Sequence, residues 1–204
     1  MGGLLQNFRN TLIVSAILAV VVMAGYATHA PGGTDAIFWQ AVLRWTHVLS
    51  GILWIGLLYY FNFVQIRVMP QIPAELKPAV SKHIAPEALF WFRWSALATV
   101  LTGAAIAIIR GYFVEAVTFG LVGGFEDGDA AYAFIGLGMH LALIMFINVW
   151  VFIWPNQKIA LGLVEGDADA KAKAGRTAML FSRTNLLLSL PMLVAMTMNQ
   201  TIFG

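Results

Sequence analysis

His47 and His140 are the residues whose type and surroundings most plainly suggest chemistry, because each imidazole lies inside a long apolar stretch. Each also has a glycine one helical turn away on its own face, Gly51 four residues after His47 and Gly136 four residues before His140. A position without a side chain beside a ligating ring leaves room for a flat macrocycle. Arg44, three residues before His47, and Arg110 supply guanidinium groups that pair with propionate carboxylates. Trp45, Trp54 and Tyr59-Tyr60-Phe61 supply aromatic walls. The expectation is that His47 and His140 hold one haem b iron as metal ligands, with Arg44, Gly51, Gly136 and Arg110 completing the cofactor site. A copper or zinc site has no third ligand of suitable type at that depth. The same residues have a structural reading, in which each histidine is hydrogen-bonded to a neighbouring helix and each glycine serves helix packing.

A second polar group gathers at the cytoplasmic side: Glu87 and Arg93, then Asn148 with Pro155-Asn156-Gln157-Lys158, then Ser182-Arg183-Thr184-Asn185, with His83 in the adjoining loop. Ionisable side chains within apolar stretches cost a few kcal/mol unless they are paired or face a polar cavity. The functional reading is a pocket for a polar planar substrate or a quinone head group. The alternative is helix capping, an ion pair from Glu87 to Arg93 or Arg183, and snorkelling to the interface.

The elements that position these residues follow from composition. Of the 204 residues, 60% are hydrophobic and 11% charged, against roughly 45–50% and about 25% in soluble domains. A soluble globular protein is excluded. Five segments reach the roughly 20 apolar residues that a crossing needs: 11–28, 36–65, 89–113, 130–155 and 178–203. The fold class is therefore an all-α integral membrane protein with five transmembrane helices, forming a single domain over residues 1–204. Phe113 to Gly124 is apolar but too short to cross, and reads as an interfacial or re-entrant piece. Met69-Pro70-Gln71-Ile72-Pro73 and Lys77-Pro78 read as the stop of the second helix and a bent connector.

Lys and Arg fall in alternate connections: Arg9; Arg67, Lys77 and Lys82; Lys158, Lys171, Lys173 and Arg176. The remaining two connections hold none, and the later one is acidic through Glu115, Glu126, Asp127 and Asp129. By the positive-inside rule the N-terminus is cytoplasmic and the C-terminus outside, as in a multi-pass protein of the bacterial inner (cytoplasmic) membrane. His47 lies 11 residues into a span that starts at Ala36, and His140 lies 10 residues into one that starts at Ala130. Both are thus roughly 15 Å below the outer boundary at 1.5 Å per residue. The charges form no basic block, so nucleic acid is not an expected partner. The absence of cysteine removes disulfides, Fe–S clusters and covalent haem attachment.

The run Arg44-Trp45-Thr46-His47-Val48-Leu49-Ser50-Gly51-Ile52-Leu53-Trp54-Ile55-Gly56, with Tyr59-Tyr60-Phe61-Asn62, resembles the membrane domain of the bacterial membrane-bound urate oxidase (urate hydroxylase) family. Pro86-Glu87-Ala88-Leu89-Phe90-Trp91-Phe92-Arg93-Trp94, Trp154-Pro155-Asn156-Gln157-Lys158 and Ser182-Arg183-Thr184-Asn185 are similar to further pieces of it. The resemblance implies an oxidoreductase that hydroxylates a small heterocycle with water and passes electrons to a cytochrome c. Fused family members carry a C-terminal cytochrome c domain. This sequence ends at Gly204 without cysteine, so the expectation is a short form that passes electrons to a separate cytochrome c, a quinone or a larger membrane complex. The competing class is a non-catalytic accessory subunit of a respiratory or photosynthetic assembly, with membrane lipids and partner helices as its contacts. Oligomerisation stays open.

Overall fold

The computed structural model describes residues 2–121 and 129–203. Among them are five helices long and apolar enough to cross a membrane. They are α1 (Phe8–His29), α2 (Ala36–Gln71), α3 (Lys77–Ile109), α5 (Ala130–Ala160) and α6 (Ala168–Ile202), with a short α4 (Phe113–Val117) between the third and fourth. The all-helical, five-span expectation holds. Glu126, Asp127 and the end of the Phe113 to Gly124 stretch lie outside the described residues.

The chain forms two compact units, one up to Trp45 and the other from Thr46 onward. In the first, the Asn7 side chain accepts from Asn10 N at 3.2 Å and starts α1, none of whose residues is buried. Asp35 caps α2 in the same way, accepting from Phe38 N at 3.0 Å. Apolar side chains around the whole of α1 suit contact with lipid tails.

The second unit holds the core, where Trp54, Leu58, Leu89, Phe92, Met145, Val149, Ile153 and Met192 pack together. Lipid tails are as apolar as these side chains, so close packing and interhelical hydrogen bonds must drive assembly. The inward face of α6 meets that need. Ala174, Ala178, Ser182, Asn185, Ser189, Met192 and Ala195 are its buried residues, spaced three or four apart, and all but two are very small. Leu187 on the opposite face is 75% exposed.

The helices run further than their apolar stretches, mainly at the end of the bundle rich in Lys and Arg. The third starts at Lys77 rather than 89, and the last at Ala168 rather than 178. The added segments are polar yet rich in Ala and Lys, which are strong helix formers, and Asp167 caps the last one by accepting from Ala170 N at 2.7 Å. Pro78 stands in the first turn of α3, where a missing N–H costs nothing. Lys77-Pro78 therefore starts a helix instead of belonging to the connector.

Among the described residues three stretches widen into π-turns: Tyr60–Gln65, Val80–Ile84 and Asn148–Ile153, of 6, 5 and 6 residues. This geometry normally takes well under 1% of residues, so three in one chain require a cause. Pro86 and Pro155 follow the second and third within two residues. A widened turn accommodates a ring that clashes with the preceding carbonyl and lacks a donor.

α4 is too short to cross. Phe119 and Gly120 follow it with φ of 57° and 75°, a left-handed reversal that is unusual for a non-glycine residue. α4 packs on α5, with Ala116 fully buried at the contact.

Candidate functional site

His47 Nδ1 lies 2.9 Å from the Thr99 carbonyl oxygen and 3.2 Å from Thr102 Oγ1, both on α3. A carbonyl oxygen only accepts, so the proton sits on Nδ1 and the lone pair of the neutral ring on Nε2. His140 Nδ1 donates to the Gly136 carbonyl at 2.8 Å, with the same result. Phe119 stacks on the His140 ring at 4.4 Å between centroids and 20° between planes. An imidazole anchored through Nδ1 with Nε2 free is the arrangement that metal-ligating histidines use. The exposed His29 also bonds its own helix, at the Gly25 carbonyl. His47 differs in that its anchor is on another helix, which fixes the ring against α3.

Gly136 has a different use from the one expected. A Cβ on Gly136 would collide with the Ala116 carbonyl oxygen, and its carbon would be 3.0 Å away. The space over Gly136 is thus filled by the backbone of α4 and is no slot for a ring plane. Over Gly51 the Thr99 methyl stands at 3.9 Å. Gly103, not anticipated, is the glycine that His47 needs: a Cβ there would lie 2.9 Å from His47 Cε1. Arg44 and Arg110 are exposed, and the Arg110 guanidinium lies 5.9 Å from the Tyr112 ring centroid. Among the described residues no three His, Cys, Asp or Glu side chains gather as a metal site.

The second polar group divides. Asn148 Nδ2 donates to Asn185 Oδ1 at 2.8 Å, and Asn185 Nδ2 donates to the Met145 carbonyl at 2.9 Å. Asn185 is fully buried. These two bonds join α5 to α6. Arg93 is 8% exposed, and its guanidinium carbon lies 3.4 Å above the Trp154 ring, leaving Nη1 buried without a hydrogen-bond partner. Glu87 and Arg183 are both exposed, and Glu87 accepts from Trp91 Nε1 at 3.0 Å. Glu87 therefore contributes to the α3 surface, and the buried members of the group are Arg93, Asn148 and Asn185.

Asn185→Leu removes both bonds and strands the Met145 carbonyl and Asn148, so unfolding in detergent should be easier by about 2–4 kcal/mol. The double change Asn148→Leu with Asn185→Leu should cost less than Asn185→Leu alone, because one stranded amide is gone.

A cavity of about 430 Å³ lies at the basic end of the bundle, the side on which the sequence suggests a pocket, but most of its lining was not anticipated. Its lining includes Phe61 and Gln65 on α2, Phe92 on α3, Gln157 on α5, Ser182 on α6, and Lys77. Asn62 stands beside it, donating to Ser182 Oγ at 2.9 Å and to the Leu58 carbonyl at 2.9 Å. Phe61, Gln65 and Met69 recur at every fourth position, as do Ala178 and Ser182. That periodicity was the available signal.

The fold and these groups define a multi-span helical membrane protein with polar side chains enclosed between its later helices. Residues 106–203 match the model of the urate oxidase N-terminal family, which takes in the end of α3, α4, α5 and α6. The resemblance seen in the sequence is supported over that stretch, just under half of the chain. His140, Asn148 and Asn185 lie within it; His47 and Arg93 do not. No curated protein and no solved structure matches the chain.

Proposed function

We propose that this chain is a urate-hydroxylase-like membrane redox protein that holds haem b through Nε2 of His47 and of His140. The observation that carries the reading is the anchoring of both imidazoles through Nδ1 to backbone carbonyls, which leaves both free nitrogens as ligands. The family match over residues 106–203 supports it. When bound, haem b supplies a one-electron carrier. The protein orients the His47 ring against Thr99 and Gly103, and shields a face of His140 with Phe119. Arg93 is the member of the inner polar group whose guanidinium is buried with Nη1 unpartnered, so it is the residue we assign to a substrate carbonyl or anion. The electron acceptor in this reading is a cytochrome c or a larger membrane complex, and the Lys and Arg of alternate loops favour a cytoplasmic N-terminus in a bacterial inner membrane.

The test is the spectrum of protein purified after haem-replete expression. Dithionite should shift the Soret band and sharpen an α band, at a stoichiometry near one haem per chain. Protein without such bands would overturn the haem assignment and favour the accessory-subunit reading.

A further inference from the structure

We propose that the cavity at the basic end of the bundle binds the ring of a membrane quinol, at a site that uses neither His47 nor His140. The construction of the cavity is the first argument. Its wall takes Phe61 and Gln65 from one π-turn and Ile153 from another, and π-turns inside α-helices are frequent at functional sites. Pro155 accounts for the second widened turn, but no proline closely follows the first.

The polar atoms are the second argument. Gln65 Oε1 is buried and has no hydrogen-bond partner. Asn62 is 7% exposed, and its Oδ1 is likewise unpartnered. The sense of the Asn62 amide is fixed, because the Leu58 carbonyl can only accept from its Nδ2. Since Asn62 also donates to Ser182 Oγ, the Ser182 hydroxyl hydrogen is left to donate elsewhere. The wall thus combines an unsatisfied acceptor, Gln65, with donors on Ser182, Gln157 and Lys77. A ligand that suits it brings an O–H at one point of its edge and an accepting oxygen at another.

The rest of the lining defines the remainder of the ligand. Leu89, Phe92, Ile153 and Met179 are apolar, and Phe61 meets Phe92 edge to face at 5.5 Å. A heterocycle with N–H groups around its whole rim would leave several of them unpaired against these side chains. A hydroquinone has two polar ends, apolar flanks and a flat face for the aromatic pair. The volume of about 430 Å³ falls in the range of small-molecule sites, with space for a ring and the first part of an apolar tail. Helices that lie in lipid give such a ligand its supply.

The experiment uses the full chain in nanodiscs, titrated with decylubiquinol and followed by quenching of tryptophan fluorescence, with empty nanodiscs as background. Saturable binding is expected. Gln65→Leu and Ser182→Ala should each weaken it, and Ala178→Leu, which fills the cavity, should raise the Kd tenfold or more. Leu187→Ala on the exposed face should retain the wild-type value. The two milder variants keep the test decisive if Ala178→Leu does not fold. Quenching that never saturates, or a Kd that none of the three variants moves, would overturn the proposal. So would displacement of decylubiquinol by xanthine, a water-soluble heterocycle with a polar rim. Because the readout is ligand affinity, a chain without haem can still pass it, and a haem-binding chain can still fail.

Discussion

Replacing His47 or His140 with alanine should abolish the dithionite-sensitive α band, whereas His29→Ala and His83→Ala should leave it intact. In the proposed reading each histidine would supply one of the two protein nitrogens that hold the haem, and among the described residues no group of three His, Cys, Asp or Glu side chains offers an alternative site. The groups that hold the His47 ring make a graded prediction. Thr102→Val removes a hydroxyl 3.2 Å from His47 Nδ1 but leaves the Thr99 carbonyl at 2.9 Å, so the band should persist with reduced haem retention. Outer-shell partners of ligating histidines typically carry 10–100-fold in affinity. Gly103→Val crowds the ring at Cε1 and should reduce haem content more than Thr102→Val does. Retention of full haem content in His47→Ala and in His140→Ala would refute both ligand assignments.

The spans were legible because a membrane imposes a length and an apolar composition that few other structures satisfy. Their ends were not, because hydropathy falls where the chain leaves lipid, while helix formation continues through Ala168 to Thr177 on propensity and a cap. His47 was legible as an isolated imidazole in an apolar run. Its anchor was not, since Thr99, Thr102 and Gly103 are unremarkable residues of α3 until the two helices are placed side by side. The inner group shows how spacing misleads. Glu87 and Arg93 lie six residues apart, about 120° around a helix with 3.6 residues per turn, so Glu87 reaches Trp91 while Arg93 turns inward to Trp154. Gln65 was passed over because an amide near a helix end is ordinary, and Gln157 was read only as part of the polar segment that ends the fourth span. Only packing reveals that they share one cavity.

Gly136→Ala gives the sharpest test of what the glycine beside His140 is for. A single methyl there meets the backbone of Ala116 rather than a flexible side chain, so α4 must move away from α5 to admit it. Overpacking a filled contact costs about 1–3 kcal/mol, and in a chain of this size each kcal/mol lowers the unfolding midpoint by roughly 2–4 °C. Gly56→Ala is the matched control. Nothing lies within 4 Å of the position its Cβ would take, and relief of glycine's helix penalty should stabilise it by up to about 1 kcal/mol. Thermal unfolding of both variants in one detergent should therefore move in opposite directions. Had Gly136 instead made room for a macrocycle, its alanine variant would lose haem while its haem-free form unfolded like the haem-free wild type. The expected result is a lower midpoint for Gly136→Ala even without haem, because α4 occupies the space whether or not a cofactor is bound.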